Sequence, residues 1–383
     1  MDIKTIDFKN EFGLDPTYFV VSSGRFEIIG NHTDHNGGLC VAASCDLCIK
    51  GYLARSDDLI VRLDSVGYEN LKFSLDDLSI KEKEVGTSTG LVKGVAKYLV
   101  GHGFKIGGFT LMCSSNIFKG AGVSSSAAFE SMIGAIFNAL YNDNKISSLE
   151  LAKAGQYSEN NYFAKNSGLL DQSSICFGDI SFLNFKEAVP VVKTLHFPFD
   201  DLQFVIINTG GSHEDLSNLY SSIPLDMLET AKKLCKTRLI EGNCSDLEGI
   251  KKELSESQYL RSKHFYGENE RVKKLVKAIE EKDKDAFLKM IKESFESSRD
   301  NLKNMMVQDH YEGSPLEACD YAYKFLEDKG ACKINGGGFA GSIIAVVDKG
   351  RADEFIEYMS LKYGKNNICK VNINPNKPSV TKI

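Results

Sequence analysis

Between residues 17 and 75 short apolar runs alternate with turn residues, the pattern of an antiparallel sheet, and Phe19 to Val21 is the first strand it predicts. The segment from Gly86 to Tyr98 reads as a helix. After the strand GGFTLMCSS, Ala128, Met132, Ile136 and Leu140 recur every four residues and mark the buried face of another helix. A further helix opens at Ser147, with Glu150 at capping-box spacing, and runs to about Ala164 before NSG breaks it. Beyond about residue 190 the texture changes to charged amphipathic helices, near 226–241, 267–281 and 284–298, followed by strands including SIIAVV and CKVNI. That shift predicts two domains, 1–190 and 191–383, with the last strand free to return to the first.

A chain of 383 residues with 42% hydrophobic and 26% charged residues affords a sizeable core. Its net charge of −6 argues against nucleic-acid or anionic-membrane partners, while leaving room for a local phosphate pocket. The ten cysteines follow no disulfide framework and MDIKTIDFKN lacks the apolar core of a signal peptide, so a cytoplasmic protein with reduced thiols is expected. No apolar run reaches transmembrane length. Cys45 and Cys48 form a C-x-x-C inside an apolar stretch, where cysteine reads as a small buried hydrophobe.

Residues 24–38, GRFEIIGNHTDHNGG, concentrate polar groups. Gly30, Asn36, Gly37 and Gly38 suffice for a turn, yet Arg25, Asn31, His32, Asp34 and His35 supply far more donors and acceptors than a turn needs. A zinc site is disfavoured because His-x-x-His in a glycine-rich turn lacks helical ligand spacing. In FKGAGVSSSAA two glycines lead into a helix, whose unpaired N–H groups suit a phosphate, although a plain helix cap has the same composition. No G-K-[ST] closes it, so a P-loop fold is not implied. In KINGGGFAGSIIAVV, Gly336, Gly338 and Gly341 run into a strand instead of a helix, an order that speaks against a Rossmann fingerprint and for a tight loop supporting another backbone or a ligand phosphate. Glu159 and Asp171 offer two carboxylates, one for a metal and one for a proton or hydroxyl, the division that phosphoryl transfer requires.

These four segments, in this order, resemble the galactokinase branch of the GHMP (galacto-, homoserine, mevalonate and phosphomevalonate) kinases. The resemblance implies an α+β fold of two domains with the active site between them, and ATP-dependent phosphorylation of the anomeric hydroxyl of galactose with Mg²⁺ as cofactor. It implies Asp171 as the catalytic aspartate and Arg25 as the cation near sugar and γ-phosphate. Lys119, Gly120, Gly122, Val123, Ser124, Ser125, Ser126 and Ala127 become the ATP-binding loop, with Ser126 and Glu159 as metal ligands. Asn31, His32, Asp34, Gly168 and Tyr220 become sugar contacts, Tyr220 through its place seven residues after His213. The partners implied are sugar and ATP, with no nucleic acid and no membrane; a monomer is expected, and an oligomer is compatible.

The chain departs from the family at Asn31, commonly glutamate, and at His35, commonly tyrosine. SSIPLDMLE lacks an arginine-rich helix start and EGSPLEACD matches a late family segment only loosely. Asn31 is therefore expected to set which group is tolerated at C6 of the sugar, since a neutral amide meets a hydroxyl or a carboxylate equally. Galacturonate or another sugar-1-kinase substrate, and a non-catalytic galactose sensor, are the alternatives; the intact VSSSAA speaks for an enzyme.

Overall fold

A computed structural model describes residues 3–118, 120–165, 167–210, 216–308 and 310–383. Two sheets organise it. The first contains β1 (Tyr18–Ile29), β2 (Leu39–Arg55), β3 (Ile60–Ser65), β4 (Leu71–Ser74), β5 (Phe109–Ser115), β6 (Ile180–Asn184) and β7 (Val191–Leu195). The second contains β8 (Leu202–Asn208), β9 (Ala331–Asn335), β10 (Ser342–Asp348) and β11 (Ile368–Val371), in the antiparallel order β11-β8-β10-β9. The last strand, β12 (Ser379–Lys382), returns to pair with the outer end of β1, from Tyr18↔Lys382 to Val21↔Ser379. β7, beginning where the second domain was expected to begin, pairs with β6 in the first sheet.

Alternation along each strand explains why both sheets are covered on both faces. On β2, Cys40 and Ala42 face the core that includes α2 (Ser88–Gly101), α3 (Ser125–Tyr141), α4 (Ser148–Tyr162) and α5 (Leu170–Phe177), whereas Leu39, Val41 and Ala43 face the core shared with β8 and β10. A strand buried on both sides needs an unbroken apolar run, and LCVAA is one. The second sheet repeats the device. Phe204, Ile206, Ile344 and Val346 face the shared core, and Val205, Ile207, Ile343 and Val347 face α10 (Pro315–Leu326) and α11 (Ala352–Tyr363).

The helical stripe of Ala128, Met132, Ile136 and Leu140 lies on α3 and is buried throughout. Ser147 caps α4, accepting from the Glu150 N–H at 3.2 Å. Two boundaries differ from expectation. Pro224 sits inside α6 (Ser217–Lys233), which starts before the proline instead of after it. α8 runs from Glu256 to Glu281, opening well ahead of residue 267, and α9 (Lys284–Ser297) follows it. All ten cysteines are free thiols, and no helix of the described residues is long and apolar enough to cross a membrane.

Candidate active site

β2 bulges at Cys45–Leu47, so that Ser23 pairs with Cys48 but Arg25 with Ser44. Bulges re-aim side chains. Here the backbone N–H of Arg25 donates to Val123 O at 2.9 Å, tying the strand to the loop ahead of α3. The guanidinium then grips the first turn of α5 in a fork: Nε donates to Asp171 Oδ1 at 2.7 Å and Nη2 to Oδ2 at 2.8 Å. Its third group, Nη1, donates to Gly122 O at 2.6 Å. Gly122 has φ +69°, and a Cβ there would overlap Ser342 Oγ, so only glycine lets the loop lie this close. Ser124 Oγ donates to Asp171 Oδ2 at 2.6 Å. Burial alone would raise the Asp171 carboxyl, but the Arg25 charge and its two hydrogen bonds outweigh it and hold the group at about 2.

On α3, Ser126 Oγ donates to Glu159 Oε1 at 2.7 Å, so the two oxygens expected to meet one metal are adjacent. Glu159 is fully buried on α4. Behind it lies a carboxyl that the sequence reading did not single out. Gln172 Nε2 donates to Glu159 Oε2 at 2.9 Å and to Glu130 Oε2 at 3.0 Å, and burial, with the nearby Glu159 charge, pushes Glu130 up to about 9. At neutral pH Glu130 is therefore protonated. Of the rest of the loop, Gly120 has φ +82°, Val123 and Ala127 are buried and Ser125 is exposed. Lys119 lies outside the described residues, as does His213.

The β9–β10 turn holds the 30–38 loop and Tyr220 through three successive carbonyls. Gly336 O accepts from Asn31 Nδ2 at 2.7 Å, Gly337 O from His32 Nε2 at 2.8 Å, and Gly338 O from the Tyr220 hydroxyl at 2.6 Å. Because a carbonyl only accepts, His32 Nε2 carries the proton. Burial, helped by His35, lowers this imidazole to about 3, so the ring is neutral and its buried, unpartnered Nδ1 is a bare acceptor. A Cβ on Gly168 would overlap Asp34 Oδ2, so glycine there lets this carboxylate approach the turn before α5. His35 Nε2 lies 3.5 Å from Asp34 Oδ1, and among the described residues no group of three or more His, Cys, Asp and Glu side chains is placed to hold a metal.

Asn31, expected among the sugar contacts, is bonded within the protein. Its amide donates to both Glu27 oxygens, at 3.1 and 3.2 Å, as well as to Gly336, and its carbonyl accepts from Asn304 Nδ2 at 2.8 Å. With both side-chain polar atoms engaged and the residue only 1% exposed, it faces inward and orders the loop. Glu27 in turn pairs with the fully buried Lys333 at 2.8 Å. Asn31→Glu would set a second carboxylate against Glu27 with a single lysine between them. The expected result is a loss of about 3 kcal/mol, the lower end for an uncompensated buried charge, with activity falling equally on every sugar. Melting curves and paired sugar assays check it; selective loss of one sugar would restore the C6 role.

The loop is also held from behind by residues that the pattern reading passed over. On α8, Glu268 accepts from the Gly30 N–H at 3.0 Å, Asn269 from the Leu39 N–H at 2.7 Å, and His264 Nε2 lies 3.0 Å from Asn31 O. Glu268 is fully buried; burial would raise it, but Arg271 and its hydrogen bonds hold it at about 2.

Residues 6–51 match the galactokinase galactose-binding signature, 90–179 the GHMP kinases N terminal domain and 275–366 the GHMP kinases C terminal domain. The chain is 33% identical to a galactokinase of Clostridium perfringens over 95% of its own length and 94% of that protein. It is 31% identical to one from Clostridium acetobutylicum, over 93% and 92%. The crystal structure of Lactococcus lactis galactokinase complexed with galactose superposes with a TM-score of 0.86 at 25% identity, covering 99% of this chain and 98% of that one. A mevalonate kinase structure shares the fold, with a TM-score of 0.66 at 15% identity.

Proposed function

The chain belongs to the galactokinase family of the GHMP kinases, and from that premise we propose how its own residues move the γ-phosphoryl group of ATP onto the anomeric hydroxyl of galactose. It is an enzyme, an ATP-dependent kinase of galactose. The alternatives, galacturonate as substrate or a silent sensor, are not favoured.

The observation that carries the mechanism is the Arg25–Asp171 fork, held at once by Gly122 and Ser124 of the ATP loop and lying on the strand that leads into the sugar loop. Phosphoryl transfer asks mainly for positioning and charge stabilisation. Arg25 supplies a cation fixed between donor and acceptor. Asp171, at about 2, is a weak base in this pairing, so its part is to orient the anomeric hydroxyl and take the proton late, once the new bond to phosphorus is largely formed. His32 Nδ1 accepts a sugar hydroxyl, and Asp34 beside Gly168 accepts another; Tyr220 lines the same loop through Gly338. The N-terminus of α3, with Gly120, Gly122, Val123, Ser124, Ser125 and Ala127, receives the phosphates. Lys119 remains assigned to the same loop by resemblance.

Ser126 Oγ and Glu159 Oε1 are hard oxygen donors 2.7 Å apart, a pair that fits Mg²⁺ held by one carboxylate, one hydroxyl and the substrate phosphates. When bound, the ion would neutralise charge building on the β- and γ-phosphates. The remaining assignments are a cytoplasmic monomer of two domains. We set their boundary between Leu195 and Leu202 and not at 190, because β7 belongs with β6. ADP release across a panel of sugars, with and without a chelator, tests the reading: turnover with galactose only, abolished by chelation, is expected. Comparable turnover with galacturonate, or none with any sugar, would overturn it.

A further inference from the structure

One cation near the site has no part in the mechanism above. α4 ends at Tyr162, and the chain reverses at Ala164, whose φ of +57° is the left-handed region that a residue with a side chain rarely occupies. The reversal turns Lys165 back onto the helix it has just left. Its N–H donates to the Glu159 carbonyl at 3.1 Å, while its ammonium donates to Glu159 Oε1 at 2.5 Å, the same oxygen that accepts from Ser126. Two side chains of α4 keep the segment folded back: Asn160 Oδ1 accepts from the Ser167 N–H at 2.8 Å, and Gln156 Nε2 donates to Ser167 O at 3.1 Å.

The two partners differ in freedom. Glu159 is fully buried and pinned by Gln172, whereas the Lys165 side chain is half exposed on a flexible four-carbon stem. A buried carboxylate without a counter-charge is costly, and a half-exposed ammonium can swing into water at little cost. On the reading that Ser126 and Glu159 are the metal ligands, we propose that Lys165 is a built-in counter-ion that neutralises Glu159 until a divalent cation arrives and then yields Oε1 to it. Lys165 therefore competes with the metal and weakens its binding to the free enzyme. In exchange it keeps Glu159 from standing unpaired inside the protein between turnovers.

The test uses Mn²⁺ alone, titrated into the nucleotide-free enzyme and followed by the electron paramagnetic resonance of the free ion, with melting temperatures measured in chelator and in Mn²⁺. Lys165→Met should bind Mn²⁺ about fivefold more tightly than the native chain, the effect of removing one half-exposed ion pair. It should also melt lower in chelator and regain the difference when Mn²⁺ is added, which the loss of a purely structural contact would not allow. Lys165→Arg should behave like the native chain, and Lys165→Gln carries the same expectation as methionine should the methionine variant not fold. Glu159→Gln separates the two ideas. If it abolishes Mn²⁺ binding while Lys165→Met leaves the affinity unchanged, the metal ligands stand and the counter-ion role fails. If Glu159→Gln leaves Mn²⁺ binding intact, the ligand assignment fails and takes the counter-ion with it.

Discussion

Asp171→Asn is expected to lower kcat by roughly 10²–10⁴-fold, the range for a positioned proton-transfer group, while the galactose KM stays within about threefold, since the sugar's own partners on the 30–38 loop are untouched. The variant does two things at once. It removes the acceptor of the anomeric proton, and it replaces a carboxylate in a two-bond fork with an amide whose NH₂ meets an Arg25 donor. Steady-state kinetics distinguish this from a binding defect: retention of more than about a tenth of native kcat would remove Asp171 from the reaction. The pairing also has a pH signature. A carboxyl held at about 2 is ionised throughout the neutral range, and its contribution to stability is present above the ordinary aspartate range and lost only as pH falls towards 2. The native kcat profile should accordingly show no acid limb from Asp171 between pH 5 and 8.

Arg25→Ala should cut kcat by about 10²–10³-fold, as removal of one preorganised charge-stabilising donor does, and should raise the galactose KM far less. The reason is positional. The guanidinium is 8% exposed and spends its donors on Asp171 and Gly122, so it joins the acceptor carboxylate to the ATP loop and does not hold the ground-state sugar. Lysine should rescue only in part, because a point charge cannot make the fork. Without the arginine, burial at Asp171 is opposed by the Lys165 charge and the Ser124 hydrogen bond but no longer by the guanidinium, and its pKa rises. An acid limb should then appear in the Arg25→Ala profile, with activity lost as pH falls through the raised value. An unchanged kcat with a large rise in KM would make Arg25 a sugar ligand, and a profile without the new limb would break the proposed coupling.

The folding pattern of the chain was legible wherever apolar residues mark the buried face. The α3 stripe and the Ser147 cap can be read from spacing, because period and capping are local consequences of helix geometry. The unbroken LCVAA run is likewise a local signal of a strand buried on both faces. The ordered loops at 24–38, 118–128, 168–172 and 333–347 likewise announced the family, since glycines and polar runs at fixed offsets survive in one dimension. The start of α8 did not announce itself. Its inward residues in that stretch include Ser262, His264, Glu268 and Asn269, so a search for apolar period sees a solvated face where there is a buried polar one. His264, Glu268 and Asn269 bond the backbone of the 30–39 loop, more than 200 positions earlier in the chain, and only the approach of α8 to that loop reveals them. The same holds for Asn31: its residue type admits a sugar contact, and Glu27, Asn304 and Gly336 reach it first. Residue type and spacing decide what a group can bond to. Which bond it makes is decided by the nearest partner in three dimensions, because a buried polar atom is satisfied by whatever group the fold brings within reach.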